Sequence, residues 1–555
     1  MAMSEMRPVI IVGGGPVGLG AALELARCRV PSILIERNAR TSWHPKTRNF
    51  NTRTMEIARG WGREVYDELR QLDLPPQWKA KIRFASSIVG KEVGTIDSNG
   101  FAGAGPELSP VSSVLSSQDM IEPVMLRQVM RSGMVDVRFN HEMVEFVHGQ
   151  EAGADGVEIR VRDKTTGEMQ TLKGSALIAS DGASSSMRSV LGLNLEGTMK
   201  IAHFMTVYFK ADIEQYVGER PGILLFIANE KARGVFQPLD ARGRWLCQIT
   251  VSEDEWSTDI YTPERCAAWI RAGVGVESLP VEVLSVGKWQ MNAAVCNTLQ
   301  VGNVLVMGDA AHMFPPTGGL GVNTGLQGMH NAIWKLALHV RGKAGRGLLE
   351  TYTVERKPVA AWTAEQSYHN ARQVGKLHAI SMGMAPSDLS PEQVLRETRR
   401  YGNQIGLELG SIYESQAVVP DDTEPPFVSD PYTDYVSCGR PGHRAPHVWL
   451  RDGDDTLSTL DLVSSEFTVL AGPDGGAWEA IVARIGAEFG LEIAFHAIGG
   501  TSKFEDVNNL FCERYGVDRD GAVLVRPDGY VAWRQRATLT DGAKHLQHAF
   551  EQILA

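Results

Sequence analysis

The sequence predicts an α/β protein in three parts: a parallel-sheet domain opened by a βαβ unit, a mixed β-sheet inserted into it, and a small C-terminal β-α-β unit with a hairpin. Three observations predict this. Val9-Ile10-Ile11-Val12 is a β-branched run that ends in Gly13-Gly14-Gly15-Pro16-Val17-Gly18. Short strand patterns cluster between residues 201 and 289. Beyond a stretch rich in Pro, Asp and Glu at residues 420–431, a strand–helix–strand pattern resumes and ends in two further strand-like runs.

Taken in order, Val9–Val12 reads as a buried parallel strand, residues 17–27 as a helix with Leu19, Leu23 and Ala26 on one face, and residues 32–35 as the second strand. Residues 74–117 are rich in Gly, Ser and Pro and are expected to form loops over a ligand site. Residues 157–161 and 171–178 read as strands. Runs at 205–209, 223–226, 234–237 and 245–251 suggest the inserted mixed or antiparallel sheet. Residues 304–307 form another buried strand, and Gly321–Val340 has helical spacing of Val322, Leu326, Ile333, Leu336, Ala337 and Val340. Helical patterns continue to Gln373 and again over residues 393–414.

Residues 420–431 are the linker candidate. Residues 467–470, 477–489, 493–497, 522–525 and 530–533 then resemble a thioredoxin fold. The expected division is 1–75, 111–195 and 296–345 for a Rossmann-like nucleotide-binding domain, 76–110 and 196–295 for a substrate domain, 346–420 for a helical region, and 432–555 for the thioredoxin-like domain.

A chain of 555 residues is too long for one ordinary core. Its 43% apolar and 22% charged residues are those of a globular protein, and a net charge of -11 argues against nucleic-acid binding. The six cysteines are scattered, with no C-x-x-C pair, so neither a zinc site nor a redox motif is expected, in the C-terminal domain or elsewhere. No signal peptide or membrane span is read at the N-terminal end. These features fit a reduced, cytoplasmic setting without a membrane partner.

The glycine run has the spacing G-x-G-x-x-G between a strand and a helix. Gly13 permits the tight turn, Gly15 lets a pyrophosphate approach the backbone, Pro16 suits the first helical turn, and Gly18 allows close helix–strand packing. Glu36 ends the next strand, where its carboxylate can accept from an adenosine ribose, with Arg37 beside it as a further candidate contact. A second glycine-rich stretch holds Asp309, a candidate for a flavin ribityl chain, followed by Pro316, Gly319, Leu320, Gly321, Val322 and Asn323. Residues 319–323 can offer backbone N–H groups at a helix start, favouring negative charge there. The plainer reading of Asp309 is a helix cap.

These residues resemble the G-D motif of class A flavoprotein monooxygenases, the para-hydroxybenzoate hydroxylase superfamily. Asp181-Gly182-Ala183-Ser184-Ser185-Ser186-Met187-Arg188 resembles that family's D-G motif, where an isolated Asp-Gly turn would be the plainer reading. His44-Pro45-Lys46-Thr47-Arg48-Asn49 resembles the segment that crosses the flavin, although many relatives have Arg where Lys46 stands. Ser117-Gln118-Asp119 resembles the segment that places Gln118 on the flavin. The C-terminal domain, with residues 441–447 and 457–462 at its start, resembles the phenol hydroxylase and 2,4-dichlorophenol 6-monooxygenase branch.

The resemblance implies FAD as cofactor, NADPH or NADH as electron donor, and hydroxylation of a phenolic or related aromatic substrate by O2 through a flavin C4a-hydroperoxide. Candidate catalytic residues are Tyr208, His203 and Arg48. Phe226, Gln237, Trp289 and Met291 are candidates for the substrate pocket, with Pro315 and Pro316 supplying carbonyls. His312 is expected to pack near the flavin, no metal ligation is expected, and the C-terminal domain is a candidate for homodimer contacts. The competing readings are Baeyer–Villiger oxygen insertion, denitrating or dehalogenating hydroxylation, and a non-catalytic flavin-binding protein. A flavin-dependent halogenase fits poorly, because W-x-W-x-I-P is absent.

Overall fold

The computed structural model describes residues 6–98, 101, 103–148, 156–381, 390–537 and 541–555. Val9–Val12 is buried at every position, as expected for a continuous β-branched run in the middle of a parallel sheet. It pairs in parallel with Ala176–Ala179 on one side and Ser32–Glu36 on the other. Val135–Phe139 and Val304–Val306 extend the sheet in parallel, and Gln300–Val301 returns antiparallel at one edge. Helix Pro16–Arg27 makes the first crossover and lies close on Gly321–Val340: a Cβ added at Gly20 would meet Met329 and Leu326 within 2.9 Å.

Two expectations need correction here. Residues 171–178 are not one strand. Met169–Gly174 pairs with Val157–Asp163 in a three-stranded antiparallel sheet, whereas Ala176–Ala179 joins the parallel one. The break falls where Ser175 N donates to Pro8 O, and a Cβ added at Gly174 would lie 2.7 Å from the same carbonyl. Within residues 74–117, Lys81–Ala85 and Glu92–Asp97 are strands rather than loops. Their sequence is polar because they form the outer part of a sheet, with one face toward solvent.

That sheet has eight strands, in the order His312–Met313, Glu282–Cys296, Leu195–Lys210, Arg244–Val251, Arg233–Pro238, Leu224–Ala228, Lys81–Ala85 and Glu92–Asp97. All pairs are antiparallel except Leu224–Ala228 with Lys81–Ala85. Helix Pro263–Val274 covers one face, where Trp269 stacks on Phe236 at 5.3 Å. The other face looks toward segment 44–48 of the nucleotide-binding domain, as the contacts below show.

The expected helical region contains the long helix Arg346–Ser381, and the 393–414 pattern is divided between Pro391–Thr398, a 3-10 turn at Arg399–Gly402 and Ile405–Leu409. In the C-terminal domain, Ile493–Ala497, Phe467–Ala471, Ala522–Val525 and Val531–Gln535 form a sheet whose first pair is parallel and the others antiparallel, the thioredoxin-like arrangement. Buried charges fasten it to the rest. Arg526 donates to both oxygens of Glu355 at 2.6 and 2.9 Å and to Asp528, while Lys335 reaches Glu355 at 2.7 Å. Among the described residues, no helix is long and apolar enough to cross a membrane.

Candidate active site

The cleft is built from two helix starts. At the first, Gly13 adopts φ +106°, and a Cβ added at Gly18 would lie 1.9 Å from Gly13 O, so neither position accepts a side chain without backbone movement. Gly15 is different: a Cβ there meets nothing within 4 Å, which leaves its surface open for a ligand. Helix Pro16–Arg27 has no side-chain cap, so first-turn N–H groups remain available. Gly14 N donates to Glu36 Oε2 at 2.8 Å and Asn38 N to Oε1 at 2.8 Å, holding the carboxylate at the strand end. Arg37 is exposed beside it.

At the second start, helix Gly321–Val340 is likewise uncapped by any side chain, and Gly321 has open space at its Cβ position. Asp309 lies in the turn before it. Its side chain is reached by solvent in a cleft whose walls crowd the carboxylate; desolvation raises its pKa and the Lys46 charge opposes the rise. Leu320 is buried, while Gly319 and Val322 are half-buried along the same turn. Asn323 was expected to offer its backbone. Its side chain does more: Nδ2 donates to Asn49 O at 3.0 Å and Gly319 O at 2.6 Å, and Oδ1 accepts from Asn51 N at 2.9 Å.

The D-G turn braces this region. Asp181 accepts from Ser185 Oγ at 2.6 Å and Met187 N at 3.2 Å, and Arg188 Nη1 donates to Ala310 O at 3.1 Å. Gln118 N donates to Thr47 O at 2.8 Å, and its Nε2 donates to Glu122 Oε1 at 2.6 Å. Burial pushes Glu122 up to about 7, against hydrogen bonds from Gln118 and Ser42 N. Lys46 is exposed at the cleft. His312 is buried against Phe314, rings parallel at 4.7 Å, and burial lowers its pKa to about 3, so it is a neutral packing group.

Register sorts the substrate candidates. Tyr208 pairs with Ser285, Phe204 with Trp289 and residue 202 with Met291, while Gln237 pairs with Leu246 and Phe226 with Val235. Side chains alternate along a strand and paired residues share a face, so Tyr208, Gln237, Phe226, Trp289 and Met291 lie on one face. Segment 44–48 meets that face: His44 Nδ1 is hydrogen bonded to Ser285 Oγ at 2.7 Å, and Arg48 Nε donates to Gln237 Oε1 at 2.7 Å. Arg48 also donates to Ile223 O at 2.5 Å and Pro238 O at 3.1 Å, and burial lowers it to about 10. All three acceptors are neutral.

His203 does not join this group. It is an odd number of residues from Tyr208 in an unbroken stretch of the strand and therefore faces the reverse side, where it meets Gln290 Nε2 at 3.0 Å and the Trp256 ring at 4.7 Å. The carbonyls of Pro315 and Pro316 each accept one hydrogen bond within the protein, which leaves a second lone pair on each. Pro315 O accepts from Ser367 Oγ at 2.8 Å and Pro316 O from Gly319 N at 3.0 Å, so both carbonyls already tie the loop to its surroundings.

Several residues at the cleft carried no local signal. Arg244 Nε donates to Tyr208 OH at 2.8 Å and its guanidinium pairs with Asp119. His378, from the long helix, packs edge-on against Phe226 at 5.5 Å; burial brings it down to about 4, and Nε2 has no hydrogen-bond partner. Tyr401 is buried close enough to Arg48 for their charges to interact. A shallow cavity of about 620 Å³ lies farther along, bordered by Lys210, Asp212, Glu214, Arg242 and Glu282.

Two open glycines and two uncapped helix starts, with a carboxylate at the ribose position, fit FAD. The family described as "FAD binding domain" matches residues 6–367, and "Aromatic-ring hydroxylase, C-terminal" matches residues 439–555. The chain belongs to the FAD-dependent aromatic-ring hydroxylases. Across 100% of its length it is 35% identical to tetracenomycin A2 monooxygenase-dioxygenase of Streptomyces glaucescens, covering 97% of that protein. It is 34% identical to 4-methyl-5-nitrocatechol 5-monooxygenase of a Burkholderia species, with 99% of this chain and 97% of that one covered. The solved flavin-dependent monooxygenase PieE, in complex with FAD and substrate, superposes with a TM-score of 0.89 at 33% identity, covering 99% of this chain and 98% of PieE. This aromatic-ring hydroxylase is a monooxygenase with FAD as cofactor and NAD(P)H as electron donor.

Proposed function

We propose that the substrate of this hydroxylase is a phenol bound as its phenolate or in a strongly hydrogen-bonded form, against the face that carries Tyr208, Gln237, Phe226, Trp289 and Met291. The observation that carries this reading is Arg48. Its guanidinium reaches into the interdomain cleft with neutral partners only, and no carboxylate pairs with it among the described residues. A partly desolvated cation without a counter-ion favours an anionic oxygen.

Bound FAD, reduced by NADPH or NADH, supplies the activation of O2. The chain's own residues supply position and charge. Arg48 holds the ring oxygen, and Gln237, fixed by Arg48, orients it. Phe226 and Trp289 give apolar walls, and Tyr208, oriented by Arg244, stands where a proton is taken up or released. A phenolate is the better nucleophile at its ring carbons, so holding that charge promotes attack on the electrophilic oxygen. The relatives named above carry tetracenomycin A2 and 4-methyl-5-nitrocatechol in their names, and the second of these suits a phenolic substrate. Gly13, Gly15, Pro16, Gly18, Glu36 and Arg37 are assigned to the adenosine diphosphate half of FAD, and Lys46, Gln118, Asp181, Asp309 and residues 316 and 319–323 to the flavin half.

The test is NADPH and NADH oxidation by FAD-loaded enzyme against mono- and polycyclic phenols and their methyl ethers, with product mass and peroxide followed together. Phenols are expected to stimulate oxidation and gain one oxygen, and the ethers to do neither. Equal turnover of phenols and ethers removes the role given to Arg48, and insertion into a ring ketone or loss of nitrite or halide would favour the corresponding alternative chemistry.

A further inference from the structure

Asn49 stands out by what its side chain lacks. Strand Asn49–Phe50 buries it to 3% exposure, yet neither Oδ1 nor Nδ2 of its amide has a hydrogen-bond partner. Among the described residues, no other side chain has two buried polar atoms left in this state. Buried amides are costly to leave unpaired, so such a site calls for a ligand that offers both a donor and an acceptor.

The amide is fixed where it stands. Asn49 pairs with Leu115 in a two-stranded ribbon, and its carbonyl accepts from Asn323 Nδ2. The same Asn323 amide group grips Gly319 O, so strand and flavin loop are held together. The approach is close: a Cβ added at Gly319 would lie 3.0 Å from both Cβ and Nδ2 of Asn49. At φ +63° Gly319 is also a position that side chains rarely adopt. The orphaned amide therefore borders the loop that leads into the uncapped helix start at Gly321.

We propose that Asn49 is a cofactor-positioning residue whose amide pairs with the pyrimidine edge of the FAD isoalloxazine, Oδ1 accepting from N3–H and Nδ2 donating to the adjacent ring carbonyl. A primary amide presents one acceptor beside one donor, the complement of an imide edge. The second hydrogen bond strengthens as the ring gains electrons, so Asn49 also raises the flavin midpoint potential. The inference rests on the FAD site and not on the choice of substrate; an enzyme that binds FAD and hydroxylates nothing still tests it.

Deflavinated enzyme is titrated with FAD and with N3-methyl-FAD, for the wild type and for Asn49→Ala, following flavin fluorescence. The wild type is expected to bind FAD about tenfold more tightly than the methylated cofactor, and Asn49→Ala to bind the two within about twofold, because one side of the hydrogen bond is already gone. A wild type that binds both equally, or a variant that keeps the full preference, overturns the proposal. A second measurement needs no variant. In holoenzyme carrying flavin labelled with 15N at N3, the N3–H proton is expected to be protected from solvent exchange, and an N3–H that exchanges as in free FAD overturns the assignment. The midpoint potential of Asn49→Ala is expected to fall, by about 30 mV for each tenfold loss in preference for the reduced form.

Discussion

Arg188 and Ala310 are 122 positions apart and joined by a 3.1 Å hydrogen bond from the guanidinium to the carbonyl. The contact ties the Asp181–Arg188 turn to the turn that carries Asp309. The same guanidinium donates to Ala183 O at 2.7 Å, closing its own loop. Two motifs distant in sequence thus brace one another at the cleft.

Removing that support should loosen Asp309 without disturbing the sheet. Hydrogen bonds from a charged donor contribute about 1.5–3 kcal/mol. Arg188→Met is therefore expected to weaken FAD binding by roughly tenfold or more, with Arg188→Lys intermediate and the far-UV spectrum unchanged. Fluorescence titration of the deflavinated variants checks it, and wild-type affinity in Arg188→Met would show that the bridge is incidental.

The two faces of the inserted sheet give a paired prediction. Tyr208 lies on the face that meets Arg48, whereas His203 lies on the reverse, against Trp256. Tyr208→Phe is expected to lower kcat/KM for the phenolic substrate by about tenfold or more. His203→Gln should stay within about twofold of the wild type. Steady-state assays of both variants decide the matter; a larger loss in His203→Gln would mean that the substrate enters from the reverse side.

This contrast also marks how far the sequence was legible. The glycines from Gly13 to Gly18 act within one turn, so their spacing alone discloses the tight turn and the strand–helix junction. His203 and Tyr208 differ only by strand parity relative to a face that becomes defined when segment 44–48 docks. The partners of the Pro315 and Pro316 carbonyls, Ser367 from the long helix and Gly319 from the loop itself, leave no mark in the local sequence. Asn323 looks like a backbone donor until its side chain meets Asn49, 274 positions away. Local motifs were readable because their geometry is local; the face that meets segment 44–48 was not, because strands far apart in sequence make it.

Glu408 gives a prediction in pH. Its carboxylate is buried, accepting from Gln404 Nε2 at 3.1 Å and Thr52 N at 3.1 Å, while Gln404 Nε2 also donates to Gly318 O. Burial raises its pKa from 4.5 to about 8, against those hydrogen bonds. The folded state thus holds this proton more tightly than the unfolded chain does. The resulting stability is fully present below about 4.5 and is lost as pH rises through about 8. Glu408→Gln fixes the neutral form, so its advantage in apparent Tm should be absent at pH 4.5, grow toward pH 8 and level off above. A constant difference across that range would show that Glu408 is ionised throughout.

The buried charges at the C-terminal domain balance: Lys335 and Arg526 against Glu355 and Asp528, each with a side chain 2% exposed or less. Asp528 also accepts from Asn331 Nδ2 at 3.0 Å through its carboxylate and from Arg53 Nη2 at 2.5 Å through its backbone carbonyl. Asn331 and Lys335 lie on Gly321–Val340, whose first turn opens onto the flavin loop, and Arg53 lies on Thr52–Gly60, which follows Asn49–Phe50. One hairpin of the C-terminal domain therefore grips both helices, Gly321–Val340 and Thr52–Gly60. Breaking a buried ion pair from one side costs about 3–5 kcal/mol, because the partner charge remains buried. Arg526→Met is expected to lower the apparent Tm by several degrees and to weaken FAD binding in step, since the helix carrying Asn331 and Lys335 loses its anchor. Arg519→Met, which breaks only an exposed pair with Asp474, should change neither measurably. Differential scanning fluorimetry with and without FAD separates the effects: a fall in Tm with unaltered FAD affinity would confine the cluster to holding the domains together.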